Sequence, residues 1–432
     1  MNLLRNTSTI WRFRIFGLTW LGYFGFYFCR KNLSVANVSM QAEYGFDNND
    51  YALMVGVYSL AYMLGQYISG YLSDKYGPRI IVGTGMILSI LANLFFGVMG
   101  TIVVLVMLAG LNGLGQSTGW SGLVKNMSSW FRKEERGVVM SWWSTCYVVG
   151  GFLGTLFATY WLTNQSFWPK LGLTRVFWAP ALVLGIIAGA YILFTRNKPD
   201  RHLSTEDQES LREHDDETVS IKDLLNNSAL WVAAIMYFFI KFTRYTYLFW
   251  LPTYLVQGLN YSAENAGYTS SIYEFVGFAG VIFAGYLSDK VFKTRRFPVG
   301  SLMLFGLSIV LVLQPILTGM GHVPTMIAIG LIGFMTYGPD SLMSGAAAMD
   351  IGSENGAAKA AGFINGIGSI GQLLSPFIVA FVSNHFGWEM LFKVFVFTSL
   401  ISAILLASKW NFGKKEVLEE KVKMDTLKVK TN

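Results

Sequence analysis

Twelve apolar stretches, each close to the ~20 residues that cross a bilayer core as a helix, recur along the chain. They centre near residues 26, 62, 89, 112, 150, 184, 243, 277, 307, 336, 370 and 399. In hydrocarbon every backbone N–H and C=O must be satisfied within its own segment or in a closed barrel, so runs of this length predict helices and an all-α integral membrane protein. Of 432 residues 53% are hydrophobic and 14% charged, against roughly 25% charged in soluble domains, which excludes an ordinary soluble enzyme. The net charge is +7, yet Lys and Arg lie in short clusters between apolar runs, which is a topological signal. No nucleic-acid partner is expected. Cys29 and Cys146 both fall inside apolar stretches, so no disulfide framework is encoded.

Arg5, Arg12 and Arg14 precede the first span, with no short apolar region and small-residue cleavage site, so the first helix is read as uncleaved. Further bases at Lys75/Arg79, Arg132/Lys133/Arg136, the central loop, Lys290/Lys293/Arg295/Arg296 and the tail occupy alternate connections. These are the cytoplasmic ones, and both termini are predicted cytoplasmic. Lys170 and Arg175 are exceptions on the other side. From Arg196 to Ser228 acids and bases crowd together, which reads as a solvated linker. The expected organisation is a six-helix bundle at 1–195, a cytoplasmic linker at 196–228, a second six-helix bundle at 229–411 and a cytoplasmic tail at 412–432.

The segment Gly70-Tyr-Leu-Ser-Asp-Lys75 recurs as Gly285-Tyr-Leu-Ser-Asp-Lys290, 215 residues later. Nearly the same offset pairs Arg30 with Arg244, and Gly151-Phe-Leu-Gly154 with Gly368-Ser-Ile-Gly371. Repeats on that scale predict two pseudo-symmetric halves. The first copy continues to Gly77-Pro-Arg79, and here the chain resembles the major facilitator superfamily, whose signature joins helices two and three. The resemblance implies that fold, with Asp74, Arg79 and Asp289 as a conformational latch at cytoplasmic helix ends. The plainer alternative for each aspartate is a helix-end charge.

Arg30 and Arg244 lie midway along their spans. An Arg at a helix centre costs about 2.5 to 3.5 kcal/mol on insertion scales, so a mid-span cation marks a functional site. Two guanidiniums suit a phosphate monoester, which carries about −1.5 to −2 charge and three strong acceptors. The competing reading pairs each arginine with a buried acid, Glu274 or Asp340. Phe28-Cys-Arg-Lys-Asn32, Trp143-Ser-Thr-Cys-Tyr-Val-Val-Gly-Gly151 and Arg244-Tyr-Thr-Tyr-Leu-Phe-Trp-Leu-Pro-Thr-Tyr254 resemble the organophosphate:phosphate antiporters. That resemblance implies a substrate site at Arg30, Arg244, Tyr23, Tyr27, Gln116, Trp120, Tyr337 and Glu274, though the aromatics also suit plain packing. Glu274 would alternatively balance Lys241 or Arg244.

The chain departs from the family with Tyr147 where many members have histidine and Gln66 where many have lysine. Lys241, one turn before Arg244, either adds a cation or snorkels. Asp340 and Asn365 suit sugar hydroxyls, Asp340 equally a partner for an intramembrane base; Asp350 is placed at a cytoplasmic helix end. His202, His214, His322 and His385 all fall in loops or at helix ends, so no imidazole is expected in the site.

Gly366-Ile-Gly-Ser-Ile-Gly371 fits G-x-G-x-x-G but sits in an apolar helix, where close helix packing explains it better than a dinucleotide. With no phosphate loop and no H-E-x-x-H, neither cofactor nor metal is expected. The chain reads as a secondary transporter of the bacterial inner membrane that exchanges an organophosphate, foremost a sugar phosphate, for inorganic phosphate. Its partners are those two anions and the lipid bilayer, and a monomer is the working expectation. A transporter-like sensor of sugar phosphate is the alternative, and an enzyme is not expected because no nucleophile or acid–base pair accompanies the arginines.

Overall fold

A computed structural model describes residues 2–131, 139–140, 142–164, 166–198 and 221–412. Most of the linker, the tail and the bases Arg132, Lys133 and Arg136 lie outside the described residues.

The described residues are helical, without strands. The long helices are α1 (Asn2–Tyr44), α2 (Asn48–Tyr76), α3 (Pro78–Phe96), α4 (Ile102–Trp130), α5 (Thr145–Thr163), α6 (Arg175–Phe194), α7 (Ser228–Gln257), α8 (Ala263–Tyr286), α9 (Arg296–Gly319), α10 (His322–Ser341), α11 (Ala347–Phe386) and α12 (Trp388–Ala407). Every stretch read from the sequence falls on one of them. Among the described residues ten spans are long and apolar enough to cross a membrane; α1 and α7, which carry Arg30/Lys31 and Lys241/Arg244 within the helix, complete the twelve.

Helix ends follow local chemistry. Asp47 caps α2 by accepting from the backbone of Asn49 and Asp50, while Asp50 accepts in return from Asp47 N–H. The α2–α3 signature turns at Gly77, whose φ of +87° suits glycine, and Pro78 opens α3. Arg175, anomalous as a topological signal, acts locally as a helix cap. Its guanidinium donates to the carbonyls of Trp161 (2.6 Å) and Leu162 (3.1 Å) at the end of α5.

By packing, the chain forms two units: Met1–Asp215 with Thr246–Phe275 and Leu373–Trp388, and Asp216–Tyr245 with Val276–Gln372 and Glu389–Asn432. The sequence repeat and the packing therefore cut the chain differently, since parts of α7, α8 and α11 pack with the first six spans. In the first unit α2 packs on α4, α3 on α4 and α6, and α1 on α5 and α6; in the second α9 packs on α10.

The repeated glycines play matching parts in each unit. A Cβ on Gly154 would stand 3.1 Å from the Tyr27 carbonyl oxygen, so α5 rides on the backbone of α1. On its repeat partner Gly371 a Cβ would overlap the Phe238 carbonyl oxygen, and on Gly368 the Tyr237 ring, so α11 rides on α7. This is the packing role expected for the Gly366–Gly371 motif.

Candidate functional site

In the first unit Arg30 is 3% exposed. Its Nε donates to Gln116 Oε1 on α4 at 2.7 Å, and its guanidinium lies over the rings of Tyr27 (4.5 Å) and Tyr62 (5.1 Å). Nη2 is buried with no hydrogen-bond partner among the described residues. Tyr23 joins the same cluster, its hydroxyl 3.4 Å from that of Tyr62 and its ring edge-on to Tyr27 and Trp120. Trp120 in turn meets Trp143 and Tyr147. Tyr23, Tyr27, Arg30, Gln116, Trp120 and Tyr147 are thus brought together. Gln116, expected to bond substrate, spends its carbonyl on Arg30 and Tyr58 and its NH2 on Asn112.

Three contributors went unread in the sequence: Tyr58 and Tyr62, one turn apart on α2, and Lys31. The spacing of the two tyrosines matches that of Tyr23 and Tyr27 and was the available signal. Lys31 donates to Glu274 Oε1 at 2.7 Å, with the side chains 2% and 1% exposed. The ion-pair partner of Glu274 is therefore Lys31, where the sequence had weighed Lys241 and Arg244. Residues 246–275 pack with α1, so the base within reach of this carboxylate is the one beside Arg30.

Lys31 also donates to the Leu248 carbonyl at 2.9 Å, and Ser34 to the same oxygen at 3.2 Å. Pro252 makes that carbonyl available: it sits four residues on and lacks the N–H that would have bonded it. Ser34 and Tyr51 likewise donate to the Phe249 carbonyl. The proline of the α7 motif thus frees the Leu248 carbonyl, an acceptor that donors of α1 fill.

In the second unit Arg244 forms an ion pair with Asp340, Nη1 to Oδ2 at 2.8 Å, with the side chains 12% and 4% exposed. Its guanidinium lies 4.7 Å from the Tyr337 ring centre. Lys241 does not snorkel; it is buried, its Nζ 3.4 Å from Ser369 Oγ and 5.2 Å from the Tyr237 ring centre. Asp340 Oδ1 is buried without a partner among the described residues. Asn365 is half-buried on α11, its backbone carbonyl accepting from Ser369 Oγ. For Arg244 the reading with a buried acid is the one realised, and for Arg30 it is not.

Among the described mid-span residues the first unit holds two cations (Arg30, Lys31) and one carboxylate (Glu274), and the second holds two cations (Lys241, Arg244) and one carboxylate (Asp340), an excess of two positive charges in sum. At the helix ends Asp74 pairs with Lys125 on α4 at 2.6 Å, both well exposed. Arg79 donates to the Ile192 carbonyl. Asp289 pairs with Arg296, which also lies 3.4 Å from Asp350 at the start of α11. Each of these pairs lies inside one unit.

A model of the Major Facilitator Superfamily matches residues 19–348. The glycerol-3-phosphate transporter of Bacillus subtilis is 30% identical over 94% of this chain and 93% of its own. A Chlamydia trachomatis protein named "Probable hexose phosphate transport protein" is 28% identical over 96% of this chain and 94% of its own. Among solved structures, a D-xylose-proton symporter superposes with a TM-score of 0.73 at 14% identity, covering 93% of this chain and 98% of that one; at that identity the likeness speaks to the fold.

Proposed function

The chain belongs to the Major Facilitator Superfamily, and on that premise we propose that it carries an organophosphate, foremost a sugar phosphate, across the bacterial inner membrane in exchange for inorganic phosphate. Both termini face the cytoplasm in this reading. The names of the two relatives support the organophosphate.

The observation that carries the reading is the state of Arg30. A guanidinium taken out of water needs an anion or a full set of acceptors. Arg30 has one neutral amide acceptor, two aromatic faces and a terminal nitrogen left over. A phosphoryl oxygen supplies what is missing, with a charge-assisted hydrogen bond. Arg244, its partner in the sequence repeat, offers the second guanidinium, and the phosphoryl group competes with Asp340 for it.

The charge count supports exchange. With Arg244 paired to Asp340 and Lys31 to Glu274, the mid-span excess is two positive charges. Moving that excess through an alternating-access transition costs several kcal/mol, roughly 2.5 to 3.5 per charge. A phosphate of about −1.5 to −2 charge cancels it, so the loaded carrier crosses readily and the empty one slowly. Tyr23 and Tyr27 orient the phosphoryl group, and Asp340 and Asn365 face sugar hydroxyls. The test is Arg30→Lys and Arg244→Lys in proteoliposome exchange of labelled inorganic phosphate. Lysine keeps the charge and loses the planar fork, so exchange should fall at least about tenfold in each; wild-type exchange by both variants overturns the assignment.

A further inference from the structure

Beside Arg30 lies a chain of buried polar side chains, of which the reading above uses only Gln116. Asn112, one turn before Gln116 on α4, is 2% exposed. Its Nδ2 donates to the Cys29 carbonyl at 2.8 Å, at the residue preceding Arg30. Its Oδ1 accepts twice, from Ser89 Oγ on α3 at 2.7 Å and from Gln116 Nε2 at 3.2 Å. Gln116 Oε1 then accepts from Arg30 Nε and from Tyr58 OH.

The polarity of this chain is determined from both ends. A backbone carbonyl only accepts, so the amide nitrogen of Asn112 faces Cys29 and its oxygen faces Gln116. Gln116 must answer with its nitrogen, which leaves its oxygen for Arg30, a group that only donates. A reversed amide would set oxygen against oxygen at Cys29 or donor against donor at Arg30, a repulsive contact between buried groups.

We propose that Asn112, supported by Ser89, is a positioning residue for phosphate binding: it locks the Gln116 amide so that Arg30 spends Nε on the protein and keeps its terminal nitrogens for the anion. This rests on the reading of Arg30 as a phosphate ligand. It assigns Asn112 no contact with substrate. Its effect passes through Gln116, and that route makes it testable.

The experiment is a double-mutant cycle on the full chain in detergent, titrated calorimetrically with inorganic phosphate. Its members are wild type, Asn112→Ala, Gln116→Ala and the double variant, with Arg30→Lys alongside. Asn112→Ala should weaken phosphate binding roughly tenfold, the scale of one orphaned buried hydrogen bond, and should cause no further loss once Gln116 is alanine. Asn112→Asp keeps the shape but sets an oxygen against the Cys29 carbonyl, and should lose affinity similarly. Should Asn112→Ala fail to fold, Ser89→Ala runs the same cycle with a smaller loss. Equal loss in both backgrounds would make Asn112 a packing clamp and overturn the proposal, as would unchanged affinity in Asn112→Ala. Arg30→Lys separates the two levels: wild-type phosphate affinity there removes the reading of Arg30 itself and the proposal with it, whereas loss there with an additive cycle removes the proposal alone.

Discussion

Arg30 and Lys31 are sequence neighbours with opposite fates. Lys31 has a carboxylate, Glu274, and a proline-exposed carbonyl; Arg30 has an amide, aromatic faces and a leftover donor. Breaking a buried pair by deleting one partner leaves an uncompensated charge, at about 3 to 5 kcal/mol. Glu274→Gln should therefore lower the thermal midpoint of the purified protein markedly, and adding Lys31→Met should recover most of it; an unchanged midpoint in the single variant would show the pair to be inconsequential. The mid-span arginines were legible because a cation in an apolar run is conspicuous in one dimension. Lys31 was equally visible but overshadowed by Arg30, and its pairing with Glu274, 243 residues away, has no local signature. Asp340 was legible as one of two options, and only its ion pair with Arg244, 96 residues away, decides between them.

Helix positions were the most legible feature of all, since a bilayer imposes length and apolarity on every span. What the pattern hides is how helices approach. The glycines of α5 and α11 look alike in sequence, yet a Cβ on Gly154 would stand 3.1 Å from the Tyr27 oxygen, while one on Gly371 would overlap the Phe238 oxygen outright. Gly371→Ala should destabilise by about 1 to 3 kcal/mol and Gly154→Ala by less, whereas Gly285→Ala, with nothing within 4 Å, should be silent in thermal melts. The reverse order would mean that these contacts do not limit packing. Pro252 acts at the same level. Alanine there restores the helical N–H to the Leu248 carbonyl, taking an acceptor from Lys31 and Ser34; slower exchange with unchanged expression is the expected result, and wild-type exchange would show that the freed carbonyl has no functional part.

Two halves were legible from the recurrence of Gly70–Lys75 at Gly285–Lys290, because a duplicated signature survives in the letters. The packing units were not, since residues 246–275 and 373–388 join the first unit through contacts such as Asn37 Nδ2 to Thr253 Oγ1 (2.8 Å), which no repeat encodes. The basic clusters support the orientation we propose: cysteine replacing Glu43 should react with an impermeant maleimide on intact cells, and cysteine replacing Lys290 only in inverted vesicles, the opposite pattern reversing the orientation. The account as a whole turns on a positive excess among the spans that a phosphate must cancel before the carrier can cross. The measurement that meets this most directly is uptake of labelled inorganic phosphate into proteoliposomes, loaded with phosphate or empty. Rapid uptake into loaded vesicles, little into empty ones, and inhibition by glucose 6-phosphate is the expected result. Equal uptake into empty vesicles, or none into loaded ones, would contradict exchange.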